Sequence, residues 1–288
     1  MGIFFMPARR YTGCMIFLHT FEPVAVAFIA GPITVYWYGI IMALAIAAAT
    51  YTACRLAPRF GLTADHILDA SFWLIVGGLI GARLYDVILE WHYYGSHLSD
   101  ILRIWNGGLA IHGALIGGAI ALALFVKRRQ LDFWTLSAVL VPAVAIGQAI
   151  GRWGNWFNQE LFGRPTGLPW AIPIRPFNRP VGFETFEFFH PTFLYESLGC
   201  LIIVLTLYFL VRRSVTAPVI AAVFCIDYGI LRFILEFIKI DTTPSVLGLR
   251  WPQIASLLLI LCGISILLFV RNKKRAKGSA SLEMSHIS

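Results

Sequence analysis

Seven long apolar runs, separated by short polar turns, restrict this chain more than any other feature. They read as spans over roughly 33–57, 67–91, 108–126, 133–152, 191–211, 217–239 and 251–270. A helix crosses a bilayer in about 20 apolar residues, and lipid admits only helices or closed barrels. The runs are continuous and lack the roughly ten-residue alternation of a barrel. Composition agrees: 58% of the 288 residues are hydrophobic and only 13% are charged, whereas soluble domains carry about 25% charged residues. Disorder and a single water-soluble core are excluded. The expected fold class is an all-α polytopic membrane protein with seven transmembrane helices.

The formal charge of +8 does not point to nucleic acid, because the basic residues sit in short clusters between apolar runs. Basic residues favour cytoplasmic loops. With the N-terminus outside, the inner loops hold Arg55 and Arg59, then Lys127-Arg128-Arg129, then Arg212-Arg213. The inner tail from Arg271 adds Lys273, Lys274, Arg275 and Lys277, while the outer turns offer only Arg103, Lys239 and Arg250. Arg9 and Arg10 oppose this orientation, and a natural start at Met15 would remove them. Residues 1–32 lack a long apolar core and end in Gly31-Pro32, so they read as an outer tail rather than a cleavable signal.

The five cysteines form no CxxC pair, and four lie in or beside spans, where a thiol packs as a small hydrophobe. The single long connection, 152–190, is rich in Gly, Pro and aromatic residues, and is expected to be an ordered outer segment. Two similar glycine patterns, Gly77-Gly78-Leu79-Ile80-Gly81 and Gly113-Ala114-Leu115-Ile116-Gly117-Gly118, read as close helix packing rather than an internal repeat. The Ser-rich basic tail is expected to be solvated or to touch anionic headgroups.

Ionisable side chains inside a bilayer are costly, so their depth is informative. Tyr38 is early in span one; Arg83, Asp86 and Glu90 are late in span two; His112 is early in span three. Arg152 closes span four, His190, Tyr195 and Glu196 open span five, and Arg232, Glu236 and Lys239 are late in span six. Because successive spans alternate in direction, all these residues fall in one leaflet, the outer one. The pattern describes one polar cavity open to one face.

Tyr228, Arg232 and Glu236 are spaced i, i+4, i+8, a single helical stripe. Arg83 can reach Asp86 or Glu90 on its own helix, which would leave it a mere internal salt bridge. Three arginines from different helices, Arg83, Arg152 and Arg232, point instead to a phosphate-bearing headgroup, since arginine binds phosphate bidentately. His112 follows Gly107-Gly108 by about one helical turn and has the chemistry of a general base, though an interface histidine is more often a packing residue. The segment Gly151-Arg152-Trp153-Gly154-Asn155-Trp156-Phe157-Asn158-Gln159-Glu160 places a cation, amides and a carboxylate between indole anchors. A helix end capped by its amides would look the same. His190-Pro191 opens span five with proline in a tolerated position, so His190 also reads as an interfacial residue.

At these residues the sequence resembles the bacterial prolipoprotein diacylglyceryl transferases. The matching stretches are Trp37-Tyr38-Gly39, Gly81-Ala82-Arg83, Gly107 to Gly113, Gly151 to Thr166, His190 to Glu196 and Tyr228 to Phe237. They run in order across about Glu22 to Ser265, and the block GRWGNWFNQELFG is highly specific. The resemblance implies a seven-span inner-membrane enzyme whose active site faces the periplasm. It would move the diacylglyceryl group of phosphatidylglycerol to the lipobox cysteine of a preprolipoprotein, releasing glycerol phosphate without metal or organic cofactor.

Residues 1–32 would then be a periplasmic tail, 33–270 the catalytic membrane domain including the periplasmic segment 152–190, and 271–288 a cytoplasmic tail. The positions carried over are Tyr38, His112, Arg152, Asn155, Glu160, Gly163, Arg232 and Glu236, with Arg83, His190 and Tyr228 added as headgroup contacts. His112 is the candidate base, with the arginine field as the alternative route to a thiolate. Ala138, Lys239, Asp227 and Asp86 depart from the family pattern. A transporter would spread polar groups through both leaflets, an intramembrane protease would show a motif such as HExxH, and a scaffold would not need the arginines.

Overall fold

The computed structural model describes residues 26–30 and 33–285. The proposed start at Met15 and most of the N-terminal tail lie outside them. Among the described residues, seven helices are long and apolar enough to cross a membrane. They are α1 (Trp37–Leu56), α2 (Ala64–Leu89), α4 (Ile111–Arg129), α5 (Phe133–Asn158), α6 (Thr192–Arg212), α7 (Ala217–Leu235) and α8 (Trp251–Ser285). A one-turn helix, α3 (Trp91–Tyr94), follows α2. Among the described residues there are also short 3-10 turns and three two-stranded antiparallel ribbons: β1 (Val26–Ala30) with β2 (Ile33–Tyr36), β3 (Ile172–Pro173) with β4 (Phe188–Phe189), and β5 (Ser245–Val246) with β6 (Leu249–Arg250).

Local chemistry sets the helix ends. Thr63 caps α2 through a reciprocal pair with His66, and the Asp132 carboxylate accepts the Thr135 amide at the start of α5. Pro218 sits in the first turn of α7, where its missing N–H costs nothing. Gln159 ends α5 in a left-handed conformation, φ 52°. Its side chain is held from several sides: Oε1 accepts from the Arg175 amide at 2.9 Å and Asn178 Nδ2 at 3.2 Å, and Nε2 donates to the Pro173 carbonyl at 3.4 Å.

Several span boundaries differ from the sequence expectation. The β-branched residues at 33–35 pair as β2 with β1, so the first helix begins at Trp37 rather than at 33. Helix α5 continues through the GRWGNWFN segment to Asn158, because Gly154 admits the Tyr38 ring against it. The long connection is therefore 159–191 rather than 152–190. Helix α7 stops at Leu235, Glu236 to Ile238 form a turn, and Lys239 bridges to Gly163. At the far end α8 runs on through the basic tail to Ser285.

Helix α5 is the most buried of the seven and packs on α1, α6 and α7. Lipid tails are as apolar as leucine, so close contact between small residues drives such packing. Helices α2 and α4 do the same through facing glycines, with Gly81 against Gly113 and Gly117, and Gly77 against Gly117 and Ala121. One apolar cluster, around Ile67, Leu136 and Val139, closes the end of the bundle where α1 meets α2. A second, with Ala138, Ile203, Leu207 and Ile220, fills α5–α6–α7. Ala138 is fully buried in that apolar cluster, where an unpaired carboxylate would be costly. A third cluster, Trp156, Phe162, Ile172, Ile174, Phe189 and Phe193, seats the 159–191 segment on the opposite end.

Candidate active site

Between the second and third clusters, the last turns of α5 and α7 meet the first turns of α6. Glu196, 1% exposed, is the centre of that meeting. Arg152 Nη2 lies 2.6 Å from Glu196 Oε1, and Arg232 Nη1 lies 3.1 Å from Oε2. Tyr228 donates to Oε1 at 3.4 Å, its ring stacked on Phe224, and Lys239 Nζ stands 3.8 Å from Oε2. The stripe on α7 is realised: Arg232 Nη2 is 3.8 Å from Glu236 Oε2. Arg250 Nη1, from β6, approaches Glu236 Oε1 at 3.1 Å. Burial and the neighbouring Arg232 draw the Lys239 ammonium, past the end of α7, down to about 8.

The network joins four cations, Arg152, Arg232, Lys239 and Arg250, to three carboxylates, Glu196, Glu236 and Asp241. One positive charge is left without an internal counterpart. Charges this deep are tolerated only when paired or when an anion completes them. Neither Glu236 oxygen accepts a hydrogen bond among the described residues.

The other expected site residues fall around this centre or away from it. Tyr38, half-buried, lies on Gly154 within the electrostatic reach of Arg152 and Glu160. Asn155 and Asn158 both donate to Glu160 Oε1, at 2.9 and 3.3 Å, fixing that carboxylate at the end of α5. His112 is exposed at the start of α4, its ring 6.0 Å from that of Tyr85. It has no hydrogen-bond partner among the described residues. His190 belongs to a separate relay: its Nδ1 is 3.0 Å from the Tyr195 hydroxyl, which accepts from Trp170 Nε1 at 2.7 Å. Burial lowers the His190 imidazole below its ordinary range.

Two expected headgroup contacts have other work. Arg83 does not join Arg152 and Arg232. It donates to the carbonyls of Ile101 at 2.9 Å, Gly107 at 2.7 Å and Gly108 at 2.8 Å, and also to that of Asp100. Backbone carbonyls take four of its five N–H groups, and with Asp86 3.7 Å away no pair of N–H groups is left for bidentate contact with phosphate. Gly163 meets the charged centre through its backbone, as the bridge partner of Lys239. A Cβ there would lie 2.7 Å from Ile238 Cγ2 and 2.8 Å from His190 Cβ, so the position demands a close backbone approach. Sequence reasoning put Glu196 and Lys239 in the outer polar cavity without giving either a catalytic or headgroup role, and did not place Arg250 there. The signal for Glu196 was present: it opens a span opposite the Tyr228–Arg232 stripe.

An apolar groove of about 830 Å³ runs along α2 and α4, with Arg128 and Arg129 at its far end. Its lining suits hydrocarbon and offers the reacting headgroup nothing, so the chemistry belongs to the ion-paired centre. Fold and site together define a multi-pass membrane protein with a net-cationic polar centre at one end of its bundle. Residues 23–269 match the family model described as prolipoprotein diacylglyceryl transferase, and the chain belongs to that family. It is 42% identical to a phosphatidylglycerol–prolipoprotein diacylglyceryl transferase of Synechococcus elongatus, over 85% of this chain and 87% of the relative. The relative of the same name from Synechocystis sp. is 43% identical, over 86% and 90% of the two chains.

Proposed function

We propose that this protein transfers the diacylglyceryl group of phosphatidylglycerol to the lipobox cysteine of preprolipoproteins. The work is done at the periplasmic leaflet of the bacterial inner membrane, with the N-terminus outside and the C-terminus in the cytoplasm. The names of the relatives supply both substrate classes. The observation that carries the reading is the single unmatched positive charge in the network of Arg152, Arg232, Lys239 and Arg250 with Glu196, Glu236 and Asp241. A phosphodiester is a monoanion and completes it.

In the reaction, the cysteine sulfur attacks the diacylglyceryl carbon bonded to the phosphate oxygen. A C–S bond forms, the C–O bond breaks, and its electron pair leaves on glycerol phosphate. Arg152 and Arg232 hold the phosphate and stabilise the growing charge. Glu196 surrenders part of its contact with them while Tyr228 and Lys239 keep it in place. Glu236 and Glu160 orient the basic side chains, and Tyr38 positions the headgroup or the thiol. His112, with both ring nitrogens unoccupied among the described residues, takes the thiol proton and passes it to water. The reading calls on no metal, organic cofactor or nucleic acid.

The test is direct. Purified protein is incubated with labelled phosphatidylglycerol and a lipobox peptide. The expected result is a thioether-linked diacylglyceryl peptide plus glycerol phosphate, with no product from a peptide whose cysteine is replaced by serine. No transfer by folded protein overturns the reading.

A further inference from the structure

The charged centre extends past the end of α7 through Arg250, and the chain spends several contacts on setting that residue. The β5–β6 ribbon doubles back through Leu247-Gly248, with φ of 52° and 78°. Two left-handed central residues are the geometry of a tight hairpin turn. The Arg250 amide then donates to Gln253 Oε1 in the first turn of α8 at 3.0 Å, and the Trp251 amide to the Pro244 carbonyl at 3.0 Å. The backbone is pinned on both sides of the peptide that enters α8, and the Arg250 side chain reaches the turn after α7.

That side chain, partly buried, has two sets of contacts. It donates to the carbonyls of Glu236 at 3.1 Å, Lys239 at 3.0 Å and Asp241, and to Thr243 Oγ1 at 2.8 Å. It also faces a carboxylate: Nη1 lies 3.1 Å from Glu236 Oε1. Glu236, 2% exposed, is shared between two guanidiniums, Arg250 at 3.1 Å and Arg232 at 3.8 Å. Arg232 stands nearer to Glu196, at 3.1 Å. Charges therefore alternate along one line of contacts, Arg250–Glu236–Arg232–Glu196–Arg152. A buried carboxylate that loses one partner is left undercompensated, and the remaining cation is drawn to it. Without Arg250, Glu236 would close on Arg232. The charge count moves the same way, because three cations would then face three carboxylates with no surplus for an anion.

We propose that Arg250 is a positioning residue of the transfer reaction: by occupying Glu236, it keeps the Arg232 guanidinium available to the phosphate of phosphatidylglycerol. The inference rests on the transfer reading and deepens it. Holding the turn needs the planar fork of Arg250, whereas occupying Glu236 needs its charge. Lysine keeps the charge and loses the fork, so the two are separable.

Saturable binding of labelled phosphatidylglycerol to the full chain in dodecyl maltoside micelles is measured apart from turnover. Arg250→Gln is expected to weaken binding about tenfold, while Arg250→Lys and the Arg250→Gln/Glu236→Gln pair stay within about threefold of the unsubstituted protein. Glu236→Gln alone should bind at least as tightly while its kcat for transfer falls, because Arg232 is freed but no longer oriented. A residue that only held the turn would show neither rescue by lysine nor suppression by Glu236→Gln. Full-strength binding by Arg250→Gln, no recovery in the pair, or Arg250→Lys as weak as Arg250→Gln overturns the inference. Should Arg250→Gln fail to fold, judged by thermal melting, the Arg250→Lys and Glu236→Gln arms decide, and clearly weakened binding in either overturns it. The expected binding pattern without transfer to a lipobox peptide sinks the transfer reading and leaves a lipid-phosphate site tuned by Arg250. Transfer with the pattern missing sinks the inference alone.

Discussion

A guanidinium beside a lipid phosphate supplies shape as well as charge, and the site divides its arginines on that basis. Arg152 and Arg232 point their forks at one carboxylate, whereas Arg83 and Arg250 spend theirs on backbone carbonyls. Arg232→Lys keeps the charge and loses the planar pair, a difference of about 1.5–3 kcal/mol for hydrogen bonds to charged groups. A fall of roughly 10- to 100-fold in kcat/KM is therefore expected in the peptide transfer assay. Lys239, near 8, is charged below that pH and neutral above it, so one of the cations facing the phosphate is lost as pH rises. KM for phosphatidylglycerol should climb above about pH 8, and Lys239→Arg should flatten that limb. At this scale the sequence showed which residues are polar and at what depth. It did not show pairing, because Arg83 and Arg232 look alike until the carbonyls at 100–108 are folded back onto one and Glu196 is set against the other.

Elements carry the division further. Seven spans were legible because each must be apolar along its whole length, and that demand is written in composition. Their ends were less so, since they depend on tertiary partners: β1 takes residues 33–36 from the first span, and Tyr38 against Gly154 lets α5 run on. The glycine pairing of α2 with α4 was readable from spacing, whereas the loop between them was not. In that loop Gly108 has φ +73°, and a Cβ would fall 2.5 Å from Asp86 Oδ2 and 2.7 Å from the Tyr94 hydroxyl. Gly108→Ala is expected to cost about 1–3 kcal/mol by overpacking. Gly39→Ala, with open space around its Cβ, should be neutral or gain up to about 1 kcal/mol of helix propensity. Thermal unfolding of the two variants in detergent separates them, with only the first melting earlier.

For the molecule as a whole, polarity is one-sided. Aliphatic packing fills one end and the middle of the bundle, and the charged centre sits beneath the aromatic platform of 159–191. That asymmetry followed from span direction alone. The network within it needed three helices brought together, which no single stretch of sequence contains. The clasp made by Arg83 also bears on how the chain is born. Its carbonyl acceptors lie 17 to 25 residues downstream, so α2 is synthesised with an arginine that has only Asp86, 3.7 Å away in the finished fold, to face. An arginine in a nascent span raises the cost of insertion, by up to about 2.5–3.5 kcal/mol at the bilayer centre and less towards the end of the helix. Helices α2 and α4 should then leave the translocon together, as a hairpin, rather than one after the other. Glycosylation-site mapping of chains cut after residue 95 or after residue 130 tests the order. The shorter chain should integrate α2 poorly, the longer one well, and Arg83→Leu should erase the difference.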